Sequence, residues 1–477
     1  MSETNGTYIG KRGYTIYKDC LTPKDLKFIR DSLNVAPYIP KSPVQPEAFP
    51  VFLESRNKIY MPRYFGLEHF GPPDEYKLSH GEHIKIEFNG KVRDNQKQII
   101  DTYMTKIDGE IGGGGLLDVP CGWGKTAMAL NIISRLNTKT LVIVHKGFLL
   151  NQWIERITEF LPTAKVGRIQ GKIIDIEGKD IVIGMLQSLS MKTYSDDMFT
   201  CFGLTIVDEC HHISSEVFSK SLSSIVTKYT LGLSATMNRK DGLTHVFKMF
   251  LGEIAFSIER EKEDNVLVKA LEFKSNDAEF EEVVLDYRGN PQYSTMITKI
   301  CDYSDRSEFI LKVVQKELAE TPNQQIMILG QNKSILVYIH DAIEHRKIAS
   351  VGYYVGGMKE EKLKESETKT IIVATYAMAA EGLDIKSLTT LILATPRTDV
   401  VQAVGRILRV KRDRPLVIDI VDTHEVFKRQ YKKRLAFYRK NNYTITESDS
   451  VNYFKDIWKT KQSHTTSQKV SKCLISV

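Results

Sequence analysis

From about residue 90 onward the chain alternates short apolar runs with longer stretches in which apolar residues recur every three or four positions. GLLDV, TLVIVHK, DIVIGM, LTIVDE and TLGLSAT form one series of runs, and QIMILG, TIIVAT, TLILATP and PLVIDIVD form a second that begins near residue 325. Unbroken apolar strands separated by helix-length segments are the pattern of a parallel sheet with helices on both faces, since each strand is buried above and below. The chain therefore reads as α/β, with two tandem parallel-sheet domains over residues 89–256 and 309–460 and a polar, partly helical crossing over 257–308. The four glycines at 112–115 precede GLLDV and read as a flexible turn.

Residues 1–88 break this pattern. LTPKDLKFIRDSL predicts a helix capped by Thr22 with Pro23 in its first turn, and FPVFLESRNKIYMPRYFG predicts two short β segments around a polar turn. Together they indicate a small α+β N-terminal accessory domain. Residues 461–477 are rich in Ser, Thr and Lys and read as a flexible tail.

Composition alters this picture little. Of the 477 residues, 42% are hydrophobic and 26% charged, which is ordinary for a chain of several cores. The six cysteines are scattered without a C-x-x-C pair, which argues against a disulfide framework or zinc knuckle and fits a reducing compartment. No apolar run approaches the roughly 18 residues that span a bilayer, and MSETNGTYIGKRGY lacks the apolar core of a secretory signal. A soluble, intracellular protein with no membrane partner, monomeric in its simplest form, is expected. The net charge of +7 permits nucleic-acid binding without demonstrating it.

Candidate chemistry begins at VPCGWGKT, residues 119–126, which follows the strand GLLDV and opens a helix with apolar residues at Met128, Ile132, Ile133 and Leu136. Strand, loop and helix N-terminus is the setting of a phosphate cradle. Pro120, Cys121, Gly122, Trp123 and Gly124 would form the loop, with Gly122 and Gly124 turning backbone N–H groups toward phosphate oxygens. Lys125 would reach the β- and γ-phosphates of ATP, and Thr126 would hold Mg²⁺. Such loops usually begin with glycine, yet Val119 stands at that position. The second piece is TIVDECHH, residues 205–212, an apolar strand ending in Asp208 and Glu209. An NTPase needs this pair, one carboxylate (Asp208) for the Mg²⁺ shell and one (Glu209) to polarise the attacking water. Cys210, His211 and His212 would make a poor chelate, because neighbours on a strand alternate faces.

Asp-Glu-x-His followed by LSAT (233–236) resembles motifs II and III of the superfamily 2 helicases, in which the phosphate loop often lacks its first glycine. Pro120-Cys121-Gly122 is close to the form seen in excision-repair-type members. VRDNQ (92–96) resembles the upstream nucleotide element, with Arg93 beside the nucleotide and Gln96 at the adenine edge. ATYAMAAEGLDI (374–385) resembles motif V, with Gly382 and Asp384 in place. QAVGRILR (402–409) resembles motif VI, with Gln402 facing the nucleotide and Arg406 and Arg409 its γ-phosphate. The resemblance spans roughly residues 90–440 and, with IYMPRYFG, is nearest to the helicases of large eukaryotic DNA viruses, which include the poxvirus transcript-release helicase.

The resemblance implies two RecA-like motor domains that use ATP and Mg²⁺ to move 3′→5′ on nucleic acid, DNA favoured over RNA. Motif III (Ser234, Thr236) and motif V would couple hydrolysis to motion. Lys146 to Gln152, MLQSLS (185–190), GQNK (330–333) and Thr375 would touch backbone phosphates. In VFKRQYKKRLAFYRK, Phe427, Tyr431, Leu435 and Tyr438 share one helical face, while Lys428, Arg429, Lys432, Lys433, Arg434, Arg439 and Lys440 cover the others as a candidate DNA contact. The work implied is transcription, repair or recombination of viral type, in host cytoplasm, viral factory or virion, with that machinery as partner. A translocase that strips RNA or protein without separating strands, and a non-catalytic scaffold, are the alternatives; the full set of motif residues argues against the scaffold. Because every motif lies downstream of residue 88, deletion of 1–88 is expected to spare basal ATPase activity but impair productive DNA engagement.

Overall fold

The computed structural model describes residues 6–38, 45–120, 122–195, 197–210, 215–235, 242–258, 265–381, 385, 387–407 and 415–460. They form two compact units, Met1–Arg260 and Glu261–Val477.

The main sheet of the first unit runs, in spatial order, Ile173–Ile174, Val166–Gln170, Ile181–Met185, Thr140–Val144, Leu204–Asp208, Tyr229–Ser234, Gly112–Asp118 and Ile254–Ser257. All neighbours are parallel except Ile173–Ile174, and a short strand, Ile107–Asp108, adds antiparallel to Gly112–Asp118. Alternate strand residues enter opposite cores, as a period of two requires. Val142, Val144, Ile206 and Leu233 pack with Ile99, Met128, Ile132 and Trp153 from the helices Asp94–Met104, Lys125–Leu136 and Gly147–Phe160. Leu141, Ile143 and Val207 pack on the other face with Phe218, Leu222, Phe247 and Leu251.

The glycines at 112–115 are not a turn. They are the first residues of the strand Gly112–Asp118, held between Tyr229–Ser234 and Ile254–Ser257. A Cβ on Gly114 would stand 1.9 Å from Thr230 Oγ1 and 2.6 Å from the Tyr64 hydroxyl, and one on Gly112 would stand 2.3 Å from the Lys228 carbonyl oxygen. Gly113 and Gly115 are pressed against Lys106, Ile107 and Glu253 of the same unit, and Gly114 is where the N-terminal region approaches the strand. Tyr64 and Thr230 share a 3.0 Å hydrogen bond, and buried Arg63 donates to the carbonyls of Lys228 (2.8 Å) and Ile111 (3.0 Å).

That N-terminal region is a five-stranded sheet ordered Leu53–Glu54, Lys58–Met61, Gly13–Tyr17, Thr7–Gly10, Glu75–Tyr76. The expected helix is Pro23–Ser32, capped by Thr22, whose hydroxyl accepts from the Asp25 backbone N–H while the Asp25 carboxylate accepts from the Thr22 N–H.

The second unit's sheet runs Val351–Tyr354, Ile371–Thr375, Gln325–Gly330, Leu388–Leu393, Leu416–Asp422, Leu267–Phe273, Thr444–Asp449, Lys459–Thr460, parallel except for the last strand. Leu267–Phe273 lies inside the stretch read as a polar crossing, yet it pairs with Leu416–Asp422 on one side and Thr444–Asp449 on the other. Its charges hid it. Lys269 is satisfied by Glu317 (2.6 Å) and Glu272 by Lys428 (3.1 Å), so both sit within a sheet without facing bulk solvent alone.

The C-terminal basic segment forms the helix Glu425–Lys440, with Phe427, Leu435 and Tyr438 buried. Arg434 does not join the basic surface. It is 1% exposed and makes a two-pronged pair with Asp419 (2.8 Å each), and Tyr438 also donates to that carboxylate (2.9 Å). A second buried pair joins Arg306 to Asp422. Lys432, Lys433, Arg439 and Lys440 are exposed on the helix. No helix among the described residues is long and apolar enough to cross a membrane.

Candidate nucleotide site

In a parallel sheet the loops at the carboxyl ends of the strands are the usual place for a ligand, and the candidate residues of the first unit gather there. The loop from Val119 to Gly124 joins Gly112–Asp118 to the helix Lys125–Leu136. Val119 explains the missing glycine. Its side chain is fully buried in the core, and its N–H donates to the Ser234 carbonyl at 3.0 Å, so a residue with a side chain is wanted there. Gly122 (φ +87°) and Gly124 (φ +80°) adopt the left-handed backbone that L side chains avoid. A Cβ on Gly124 would also meet Gln96 Nε2 at 2.5 Å. Gly124 N-caps the helix, so the first turn's N–H groups open toward the loop.

Two side chains from the preceding helix fasten the loop. Arg93 donates to the Trp123 carbonyl at 3.0 Å, and Gln96 Nε2 donates to the same oxygen at 2.8 Å. Gln96 Oε1 accepts from the Arg93 N–H at 3.1 Å. Gln96 thus spends one N–H and one lone pair locally, and a primary amide has one more of each to offer.

Lys125, the first residue of its helix, has Nζ 3.3 Å from the Val119 carbonyl oxygen and 3.6 Å from Glu209 Oε1. Thr126 follows it, half-buried. Asp208 ends the strand Leu204–Asp208 and is buried; Glu209 turns off it with φ +48°, a conformation that costs a non-glycine residue about 1–3 kcal/mol. The Glu209 N–H donates to Asp208 Oδ1 at 2.9 Å. Burial, and then the neighbouring Glu209 charge, push the Asp208 carboxyl up to about 6. A buried carboxylate whose charge is disfavoured is a ligand that a divalent cation would suit.

Trp153 completes this cluster and was not visible as a functional candidate. In NQWIER it reads as one apolar position of an amphipathic helix, and it is 1% exposed in the core. Its indole N–H donates to Asp208 Oδ2 at 2.8 Å, fixing the carboxylate from the side opposite Glu209's N–H. Trp153→Phe keeps most of the ring and deletes the donor. A hydrogen bond to a charged group contributes about 1.5–3 kcal/mol, so a loss of about tenfold or more in kcat is expected, with the Mg²⁺ concentration for half-maximal rate raised. Unchanged kcat and Mg²⁺ dependence would reduce the contact to satisfaction of a buried indole.

The second unit also gathers its candidates at strand ends. Gly330 and Thr375 are register partners at the ends of adjacent strands, and Thr395 Oγ1 accepts from the Gln331 N–H at 2.9 Å. Asn332 of GQNK caps the helix Lys333–His345, its side chain accepting from the Ser334 N–H at 3.2 Å. Gln402 and Arg406 lie on the helix Val401–Ile407, with their side chains outside the described positions. Cys121, Thr236, Gly382, Asp384 and Arg409 lie outside the described residues, as do His211 and His212.

Comparison with known proteins agrees with this arrangement. Residues 89–239 match the family model "Type III restriction enzyme, res subunit", and residues 309–412 match "Helicase conserved C-terminal domain". The chain is 36% identical over 97% of its length, and 91% of the relative's, to the Acanthamoeba polyphaga mimivirus protein "Putative ATP-dependent RNA helicase L396". It is 28% identical over 69% of both chains to the African swine fever virus protein QP509L (isolate Tick/Malawi/Lil 20-1/1983), which carries the same designation. Among solved structures, yeast Dbp5 bound to RNA and ADP BeF3 covers 76% of this chain and 92% of its own, at 11% identity and a TM-score of 0.52. Such a likeness shows the fold alone, that of tandem RecA-like domains. With these family matches and viral relatives in hand, the chain belongs to the superfamily 2 helicases, in the group carried by large DNA viruses.

Proposed function

We propose that this ATP-dependent helicase of viral type is a nucleic-acid-stimulated ATPase that moves 3′→5′ on DNA in viral transcription, repair or recombination. The observation that supports it best is the cluster of Lys125, Asp208 and Glu209 at the strand ends of the first unit's sheet, with Lys125 Nζ 3.6 Å from Glu209. Helicases of this family imply ATP with a divalent metal, typically Mg²⁺; Asp208 and Thr126 would hold it, and bound there it would neutralise charge on the phosphates. Lys125 would grip the β- and γ-phosphates, and Glu209 would orient the attacking water. Arg406, Arg409 and Gln402 of the second unit would complete hydrolysis, so that turnover needs both units and the nucleic acid feels each cycle as a step. Gly382 and Asp384 would contribute from motif V.

The preference for DNA rests on the motif resemblance to excision-repair-type helicases. RNA is the second reading, favoured by the names of the viral relatives. ATPase stimulation by single-stranded DNA, duplex DNA and RNA, measured in parallel, decides between them. Strand displacement then separates a helicase from a motor that strips RNA or protein. Gln96 should set nucleotide choice, because its remaining donor and acceptor match the adenine edge and guanine presents two acceptors there. Gln96→Ala is expected to narrow the gap between ATP and GTP turnover by about tenfold, the worth of one to two hydrogen bonds. Equal use of the two nucleotides by the unaltered protein would refute that role.

A further inference from the structure

Among the described residues the N-terminal sheet has one face packed and one face open in part, its tyrosines half-buried. Strand register pairs Ile9 with Tyr14 and Ile16 with Ile59, and these residues pack with Ile29, Leu33 and Phe65 of the adjoining helical segments. The same register sends Tyr8, Thr15, Tyr17, Lys58 and Tyr60 to the opposite face. There the side chains are aromatic and cationic. Lys58 Nζ lies 5.1 Å from the Tyr8 ring centroid and 4.5 Å from that of Tyr17. Lys77 Nζ lies 4.7 Å from the Tyr8 centroid, and the Arg12 guanidinium 5.4 Å from that of Tyr60. Thr15, in the middle, is only 1% exposed, so the rings form a continuous cover over it.

Among the described residues Glu75 is a carboxylate on this face, register partner of Tyr8 and 2.7 Å from Lys77. Among the described residues Lys58 meets tyrosines and no carboxylate, donating to the Tyr8 hydroxyl at 3.1 Å. Flat rings interleaved with cations on a sheet suit one ligand chemistry in particular. Unpaired bases stack on rings of any sequence, and the phosphates between them meet ammonium and guanidinium groups. A duplex would present only its backbone, leaving the rings without a role.

We propose that the open face of the N-terminal sheet binds single-stranded nucleic acid, with bases on Tyr8, Tyr17 and Tyr60 and phosphates on Lys58 and Lys77. This rests on the reading of the chain as a nucleic-acid motor, and gives that motor a grip remote from the nucleotide loop.

The test uses the full-length chain without nucleotide and measures fluorescence anisotropy with labelled dT20 and U20. Tyr8→Leu/Tyr17→Leu is expected to weaken binding at least tenfold, while Tyr8→Phe/Tyr17→Phe binds like the unaltered protein. Lys58→Gln/Lys77→Gln is expected to flatten the slope of log Kd against log salt by about 1.4, since each single-strand phosphate contact contributes about 0.7. ATPase activity without nucleic acid should be unchanged in all variants. Preference of the face for dT20 or U20 identifies which sugar it takes. If the leucine pair fails to fold, the lysine pair decides, because it removes nothing from the packed face. Unaltered affinity and salt slope in a protein that nucleic acid still stimulates would overturn this proposal alone. Failure of the unaltered protein to bind or be stimulated by either strand would overturn the motor reading with it.

Discussion

Lys125→Ala is expected to abolish nucleic-acid-stimulated ATP hydrolysis while leaving the first unit folded. The substitution sits at the start of the helix Lys125–Leu136, where alanine is an excellent helix former, and the buried positions of that helix begin at Met128. What is lost is a cation, held 3.3 Å from the Val119 carbonyl oxygen and 3.6 Å from Glu209, at the loop where the β- and γ-phosphates would lie. Charge grows on the γ-phosphoryl as the bond to the β-phosphate breaks, so an aligned ammonium is worth more at the transition state than in the ground state. Removing one preorganised donor of this kind lowers kcat by about 10²–10³-fold in characterised enzymes, and a full positive charge should cost at least that. Near-native melting with turnover at background is the expected pair of results. Turnover at the unaltered rate would remove VPCGWGKT from the chemistry.

Arg406→Ala should be as damaging to turnover, by another route. By resemblance Arg406 and Arg409 supply the γ-phosphate with planar, permanently charged donors, and such fingers are worth about 10³–10⁵-fold in rate. Residues spaced three apart, as these are in the motif, would share nearly one face if a helix carried both. ATP should still bind within a few-fold, because the arginines act as charge develops. The competing account is that Arg406 braces the second unit. That unit already has its braces: Arg306 on Asp422 and Arg434 on Asp419, all four side chains at most 1% exposed. Breaking one of those, as in Asp419→Ala, strands a buried cation and belongs to a class of change that costs about 3–5 kcal/mol. So the two kinds of arginine separate cleanly in one set of measurements. Arg406→Ala should lose kcat at constant melting temperature and near-constant nucleotide affinity; a lower melting temperature with kcat intact would return it to the bracing class.

Much of this was written in local pattern. Fully buried parallel strands are unbroken apolar runs, so Thr140–Val144, Leu204–Asp208 and Gln325–Gly330 stand out by composition alone. The phosphate loop and the acidic pair are contiguous in sequence, which makes them readable without the fold. What escaped detection depends on partners far along the chain. The glycines at 112–115 look like a turn until Thr230 and Tyr64 are beside Gly114, and Leu267–Phe273 looks like a linker until Glu317 takes up Lys269. Arg434 counts as surface charge until Asp419, 15 residues away, is placed against it. Trp153 carries two messages, a ring for the core and an N–H for Asp208, and periodicity reports only the ring. The open N-terminal face was hidden because its members come from strands of four or five residues, too short for alternation to register.

The seam between Arg63, Tyr64 and the glycine strand changes how this protein can be cut. A compositional break near residue 88 invites truncation there, but the cut would take away the guanidinium that satisfies the carbonyls of Lys228 and Ile111, and the hydroxyl that meets Thr230. It would also uncover Gly114, whose close neighbours include the Tyr64 hydroxyl. The N-terminal region is thus a keystone more than an appendage. For anyone exchanging parts between viral helicases, the transferable cassette begins at the first strand and carries Arg63, Tyr64 and the four glycines together; a graft that swaps one side of that seam must redesign the other.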